Sequence, residues 1–417
     1  MRRLTEHRTA ERPAGTPAAT FTTATLVVAA DLRVGRGRRT ADRDVGRYVL
    51  RVGLLSVLVA LVNQSATADW KSFRGDARLT GVASEVLTGQ LEPVWVFEAE
   101  DGFESSAAIV GDRVFVGSLD GHLYALDLAT GKLAWRYAAE DEIKSSPLVV
   151  GETLYFGDEM GFFHAVDTRT GERRWRFESG GGITSSANQA ADCILFGSYD
   201  NSLYCLRPAD GALGWQLESD SYVNATPAVA GDTVISAGCD GYLRLVDLKS
   251  GSELGRVEME AYVGASAAVA GGRAFVGTFE NQVLGIDLDK RSIVWTYEHP
   301  ERKFPFYSSA AVTDDLVIVG GRDKMVHALD ATSGKLRWSF TTRARVDASP
   351  VVSGELVYVV SQSGDLHALN FRTGDLVWKF EIGSPVVASP AIAGGRLVIG
   401  TLDGTVYAFA PKEKGSR

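Results

Sequence analysis

Cysteine is scarce in this chain: Cys193, Cys205 and Cys239 are the only three in 417 residues. So sparse and odd a set excludes a disulfide-dense scaffold and leaves at least one thiol unpaired within a monomer. In a hairpin turning at Asp200-Asn201, residue 205 would face roughly residue 196, and residue 193 roughly residue 208. That offset predicts poor disulfide geometry and a role for both cysteines as small buried hydrophobes. Sustained helical periodicity is missing, which argues against a helical bundle. No Gly-x-Ser-x-Gly, P-loop or His-Glu-x-x-His occurs, so the chain carries no signature of the corresponding hydrolase, nucleotide or zinc-protease chemistry. Basic stretches interleaved with aromatics are absent beyond residue 68, where the chain carries net −15 against +6 for residues 1–68. An acidic body attracts neither nucleic acid nor an anionic membrane surface, so no nucleic-acid partner is expected.

The N-terminal part reads differently. Arg43, Arg47 and Arg51 precede the apolar run Val52–Val62, and Ala66-Thr67-Ala68 follows. A charged start, a short apolar core and an A-x-A site are the pattern of a secretory signal peptide. A core of eleven residues is short for a hydrocarbon layer of about 30 Å, so no integral membrane segment is expected after cleavage. The expected organisation is a disordered extension over 1–44, arising from an upstream start, then a signal peptide over 45–68. A lead-in over 69–91 and a repeat domain over 92–417 follow. No cysteine sits at the cleavage site, hence no lipobox, and an exported, soluble, periplasmic or otherwise extracytoplasmic protein is expected.

What the chain has in abundance is repetition. One copy runs Ser145-Ser146-Pro147, Leu154–Gly157, Gly161–Asp167, Thr170-Gly171 and Trp175. The equivalent last position is Trp95, Trp135, Trp175, Trp215, Gly255, Trp295, Trp338 and Trp378, at steps of 40 residues with a single step of 43. Self-similarity at such a period signals a repeat architecture, and 45 glycines suit many short strands joined by tight turns. Each copy reads as an inner strand of small residues, an alternating strand, an Asp-Gly-type turn, a third strand, a Thr-Gly turn and an outer Trp strand. Eight sets of inner strands begin near Ser105, Ser145, Ser185, Ala225, Ala265, Ser308, Ala348 and Ala388, and the last lacks its own Trp strand. The unpaired N-terminal strand at Trp95 supplies it. The fold class is therefore all-β: an eight-bladed β-propeller of four-stranded antiparallel blades, closed by pairing the N-terminal strand with the C-terminal blade.

The segments Ala125–Trp135 and Ala328–Trp338, reading Ala-Leu-Asp-x-x-Thr-Gly-Lys-x-x-Trp or nearly so, resemble the tryptophan-docking motif of the PQQ-like repeat family. The resemblance covers about residues 92–410, and Trp70-Lys-Ser-Phe73-Arg74-Gly75 resembles the lead-in of many exported members. The family includes quinoprotein dehydrogenases and non-catalytic exported propellers of the BamB type. The dehydrogenases imply a quinone between a Trp floor and a lid, often of adjacent cysteines, a Ca²⁺ held by Glu, Asn and Asp, and an Asp base. This chain has no Cys-Cys pair and no Cys-x-x-Cys-His, so no cofactor and no enzymatic activity are expected. Two copies depart from the pattern: Gly255 replaces a Trp, and Asp289-Lys290-Arg291 replaces a Thr-Gly turn.

Candidate sites follow from the same alignment. His164, His327 and His367 share one repeat position with Tyr124, Tyr204 and Tyr407, which predicts a structural aromatic slot with a polar tip rather than a metal site. Asp120, Asp200, Asp240, Asp323 and Asp403 recur in hairpin turns, where turn chemistry explains them. Binding is expected instead on the variable loops leading into the blades: Glu104, Lys144, Tyr222, Tyr262, Phe306, Tyr307, Arg343, Arg345 and Asp347. Trp95, Trp135, Trp175, Trp215, Trp295, Trp338 and Trp378 are expected to be structural. The function expected is a monomeric, non-catalytic protein-binding or scaffolding propeller of the cell envelope. A PQQ-dependent oxidoreductase or a carbohydrate-binding propeller is the alternative.

Overall fold

The computed structural model describes residues 69–412. The expectations placed on residues 1–68, including the signal peptide, lie outside the described residues. Among the described residues, thirty-two strands form eight four-stranded antiparallel sheets. Blade 1 is representative, with an inner strand Ala108–Val110, then Arg113–Gly117, His122–Asp127 and the outer strand Leu133–Ala138. Blades 2 to 7 repeat it in chain order. Blade 8 is composite: its inner three strands end in Thr405–Pro411, and Leu91–Glu98 pairs beside that last strand with Trp95 opposite Ala408. The closure expected from sequence is thus the closure found. Among the described residues no helix is long and apolar enough to cross a membrane.

Small residues at the axis do more than avoid collision. Ser106, Ser146, Ser186, Thr226, Ser266, Ser309, Ser349 and Ser389 form an unbroken circuit. The backbone N–H of each donates to the hydroxyl of the next, at 2.8–3.2 Å, and Ser389 N–H closes onto Ser106 Oγ. A buried N–H needs a partner, and at the narrow axis only a short hydroxyl side chain supplies one without crowding.

The outer seams are closed by tryptophan. Trp95 Nε1 donates to Leu128 O of the following blade at 2.8 Å. The same bond runs from Trp135, Trp175, Trp215, Trp295 and Trp338. The indole lies against the Gly of the next blade's turn; a Cβ on Gly131, which sits at φ +71°, would come within 2.6 Å of the Trp95 ring. Trp95, Trp295 and Trp338 are buried, whereas Trp135, Trp175, Trp215 and Trp378 are partly exposed. The two departures from the motif prove to be one arrangement. Arg291, at φ +53°, takes the place of the turn glycine, and its guanidinium covers Gly255, where a Cβ would lie 2.6 Å from Nη1. Leu245 stands opposite Gly255, where alanine faces the indole in blades 1 and 2.

The cysteine expectation is corrected. Cys193 and Cys205 are disulfide-bonded with Cα atoms 5.4 Å apart, and Cys239 is free. Cys205 pairs with Leu195, one residue away from the expected register. Residues offset by two on paired strands share a sheet face, and the twist of the hairpin brings this pair within disulfide reach.

Candidate functional site

The propeller has two unlike faces. On one, the lead-in runs across the mouths of the inner strands. Trp70 pairs with Ile109, and the carbonyls of Lys71, Ala77, Arg78, Thr80 and Gly81 accept from Val149, Val229, Val269, Val312 and Val352. Trp70, Arg74 and Leu79 are buried there. Arg74 Nη2 donates to Ala310 O at 3.1 Å and Pro350 O at 2.5 Å. Burial pulls its guanidinium down to about 9, with Asp76 opposing. The lead-in therefore lies along the inner strands and occupies the axis on this side.

The opposite face is free of it. Each loop leading into a blade lies beside that blade's own hairpin turn, as in Leu119 N–H to Gly102 O, Glu159 to Glu142 O, Phe279 to Tyr262 O and Gln362 to Arg345 O. The expected sharing of one face by loops and turns is what the structure shows. One side chain per loop plugs inward: Phe103, Ile143, Ile183, Val223, Val263, Phe306, Val346 and Val386 are all buried. Phe306 is therefore corrected from a candidate contact to a packing residue. It meets the backbone at Gly277, as Ile143 meets it at Gly117.

The remaining candidates lie at this face in separate groups. Glu104 is exposed. Lys144 bridges Glu142 at 3.0 Å and Glu159 at 3.4 Å. Partial burial pulls the Lys144 ammonium down, but the two carboxylates outweigh it and its pKa is raised. Tyr222 and Tyr262 are more than half exposed, and Tyr222 leans on Tyr199 at 5.0 Å between ring centroids. Tyr262 borders a depression of about 370 Å³ with Tyr242, Glu258, Glu260 and Glu280. Tyr307 stacks on Phe279 at 4.5 Å, and the Arg322 guanidinium lies 3.4 Å from the centre of the Tyr307 ring. Arg322 then grips Asp347 through two bonds of 2.9 and 3.0 Å, and Arg345 reaches Asp347 at 3.0 Å. Arg343 is exposed and pairs with Glu381 at 3.2 Å. Sequence reasoning missed Arg322 and Phe279, which join three of its candidates. It also missed Met160 and Tyr199, which are exposed at or next to these loops and turns, as is Phe304 beside Tyr307.

The repeat position expected to be an aromatic slot holds Tyr or His in six blades, but Arg244 in blade 4 and Leu284 in blade 5. Tyr124 and Tyr204 donate their hydroxyls to Asp120 and Asp200 at 2.7 and 2.6 Å. His164 and His327 reach Asp158 and Asp323 at 2.9 and 3.0 Å. In blade 4 the slot holds Arg244, paired with Asp240 at 2.6 Å. His367 is buried beside Asp365, and desolvation lowers its pKa. The turn aspartates are thus anchors of the third strand.

Comparison with known proteins bears on this geometry. The sequence profile of the family described as outer membrane protein assembly factor BamB matches residues 76–194, 159–241, 239–339 and 322–417. No curated protein matches the chain significantly. Among solved structures, the fold is similar to BamB from Moraxella catarrhalis, at 21% identity and TM-score 0.66, over 78% of this chain and 99% of that one. It is similar to the computationally designed Ika8 protein at 17% identity and TM-score 0.67, over 79% and 99%. Quinohemoprotein alcohol dehydrogenase from Comamonas testosteroni is also similar, at 13% identity and TM-score 0.72, over 85% and 82%. At these identities the structural likeness concerns the fold.

Proposed function

The chain belongs to the outer membrane protein assembly factor BamB family, and from that premise we propose that it is a non-catalytic scaffold of the cell envelope that holds protein partners during outer-membrane protein assembly. The observation that carries the reading is the asymmetry of the two faces. The lead-in fills the axis on one side. The loops and turns of the other present Met160, Tyr199, Tyr222, Tyr262 and Phe304 to solvent. Exposed aromatics on loops held by a rigid scaffold are typical anchors of a protein interface. The ion-paired stack Tyr307–Arg322–Asp347 fixes the loops of blades 6 and 7 without needing a ligand. Export by the 45–68 segment, with a mature start at Asp69, belongs to this proposal.

Affinity capture from envelope extracts tests it. The wild type should recover subunits of the barrel-assembly machinery, and a Tyr222→Ala/Tyr262→Ala variant of unchanged melting temperature should lose them. Recovery that is equal for both proteins counts against this face. Oxidation of an alcohol or sugar on addition of PQQ and Ca²⁺ would replace the scaffold reading with an enzymatic one.

A further inference from the structure

Between blades 1 and 2, three metal-ligating side chains meet. The ligating atoms of Glu140, Asp158 and His164 all lie within 4.8 Å of one another. The Asp158 and His164 side chains are fully buried, while Glu140 keeps a partial opening to solvent. His164 Nε2 is 2.9 Å from Asp158 Oδ2 and 3.4 Å from Glu140 Oε2. A tetrahedral ion held about 2.0–2.1 Å from nitrogen and oxygen donors sets ligand-to-ligand edges of about 3.3 Å. These two distances bracket that value, and the third edge, between the two carboxylates, is no longer than 4.8 Å.

Each of the three ligands has its own supporting partner. Tyr137 Oη is 3.0 Å from His164 Nδ1, which aims Nε2 at the carboxylates. Asp158 Oδ1 accepts from the Phe162 N–H at 2.8 Å. Arg176 pairs with Glu140 through Oε1, leaving Oε2 toward the histidine. Such outer partners are what orient metal ligands.

The other seams provide internal comparisons. His327 has partners of the same type, Tyr297 at 3.1 Å and, from two positions later in the turn than Asp158, Asp323 at 3.0 Å, but Pro300 stands where the first seam has Glu140. In blade 4 two carboxylates do approach, and a cation sits with them: Arg244 lies 2.6 Å from Asp240 and 3.8 Å from Asp220. Among the described residues, only the first seam combines two carboxylates with an imidazole.

We propose that Glu140, Asp158 and His164 bind a divalent transition-metal ion of the zinc class, with water completing its shell on the Glu140 side. One nitrogen and two carboxylate oxygens suit such ions. Bound there, the ion ties the third strand of blade 2 to the outer loop of blade 1.

Titration of the metal-free full chain with Co²⁺, followed by visible absorption, and with Zn²⁺, followed by calorimetry, tests the site. One equivalent should bind with a four-coordinate cobalt spectrum, and Zn²⁺ should raise the melting temperature. Affinity should fall at least tenfold in His164→Gln and in Glu140→Gln and stay unchanged in His299→Gln. Should His164→Gln not fold, Glu140→Gln, at the solvent-open position, decides. The proposal is overturned if the wild type binds no stoichiometric ion, or if Glu140→Gln binds it as tightly.

Discussion

Rebuilding a tryptophan seam at residue 255 measures how the blades are locked together. The blade 4–5 seam lacks the indole that closes its neighbours, and three residues have adjusted: Gly255, Arg291 covering it, and Leu245 opposite it. Gly255→Trp in the wild type forces the ring against Arg291 and Leu245, and overpacking of this kind costs about 1–3 kcal/mol. In a Leu245→Ala/Arg291→Gly background the indole finds the small residue and the positive-φ glycine that accompany Trp135 or Trp338. Burying about 150 Å² of ring there contributes up to ~4 kcal/mol, less about 1 kcal/mol for ordering the side chain. The same substitution should therefore destabilise one protein and stabilise the other by about 2–3 kcal/mol, a coupling of at least ~3 kcal/mol. Urea unfolding of the four proteins gives it directly. Independent sites add within about 0.5 kcal/mol; an effect of Gly255→Trp that is equal in both backgrounds within that margin refutes the coupling.

Other consequences follow from the same geometry. Trp338→Ala should lose about 3–5 kcal/mol, and Trp175→Ala, at a partly exposed position, clearly less; equal losses would mean that burial does not set the cost. Ser309→Ala leaves the buried Ser266 N–H without its acceptor and should cost about 1–3 kcal/mol, whereas Ser309→Thr, the residue type found at Thr226, should cost little by the same unfolding assay. The turn carboxylates Asp167 and Asp330 are held down to about 2, Asp167 first by Arg174 and Asp330 first by Ser333. Their folded-state pKa lies below the unfolded value of about 3.9. They therefore stabilise the fold above about pH 4, and that contribution is lost as pH falls toward 2. Asp167→Asn/Asp330→Asn should flatten the acid limb of a stability–pH curve, and a curve of unchanged slope would contradict this.

The blade count and the composite blade were legible because a 40-residue period survives any error in a single strand. The same columns of the repeat hold information that a reading by exposure alone misses. Phe306 aligns with Ile143, Ile183 and Val223, so its column marks it as a plug, although its neighbours Phe304 and Tyr307 made the loop look like a binding segment. The serine column shows small residues, but its closed circuit of hydrogen bonds needs the ring to be formed first. Arg291 and Gly255 looked like two separate losses because they lie 36 positions apart in the chain and meet only across a seam. The disulfide was not legible because one residue of register, together with the twist of the hairpin, decides whether two offset cysteines meet. The Glu140–Asp158–His164 cluster was not legible because the histidine column relates residues of different blades, which do not meet. The relevant partners were a carboxylate on the preceding outer loop and one in the turn.

The central claim is that the open face, at Tyr222 and Tyr262, is where this propeller holds its partners. Photo-crosslinking in intact cells tests it most directly, with a benzophenone side chain placed either at residue 262 or at residue 376, an exposed apolar position on an outer strand. The account predicts a discrete protein adduct from residue 262, containing a component of the barrel-assembly machinery, and none from residue 376. An adduct from residue 376 alone, or none from residue 262, would contradict it.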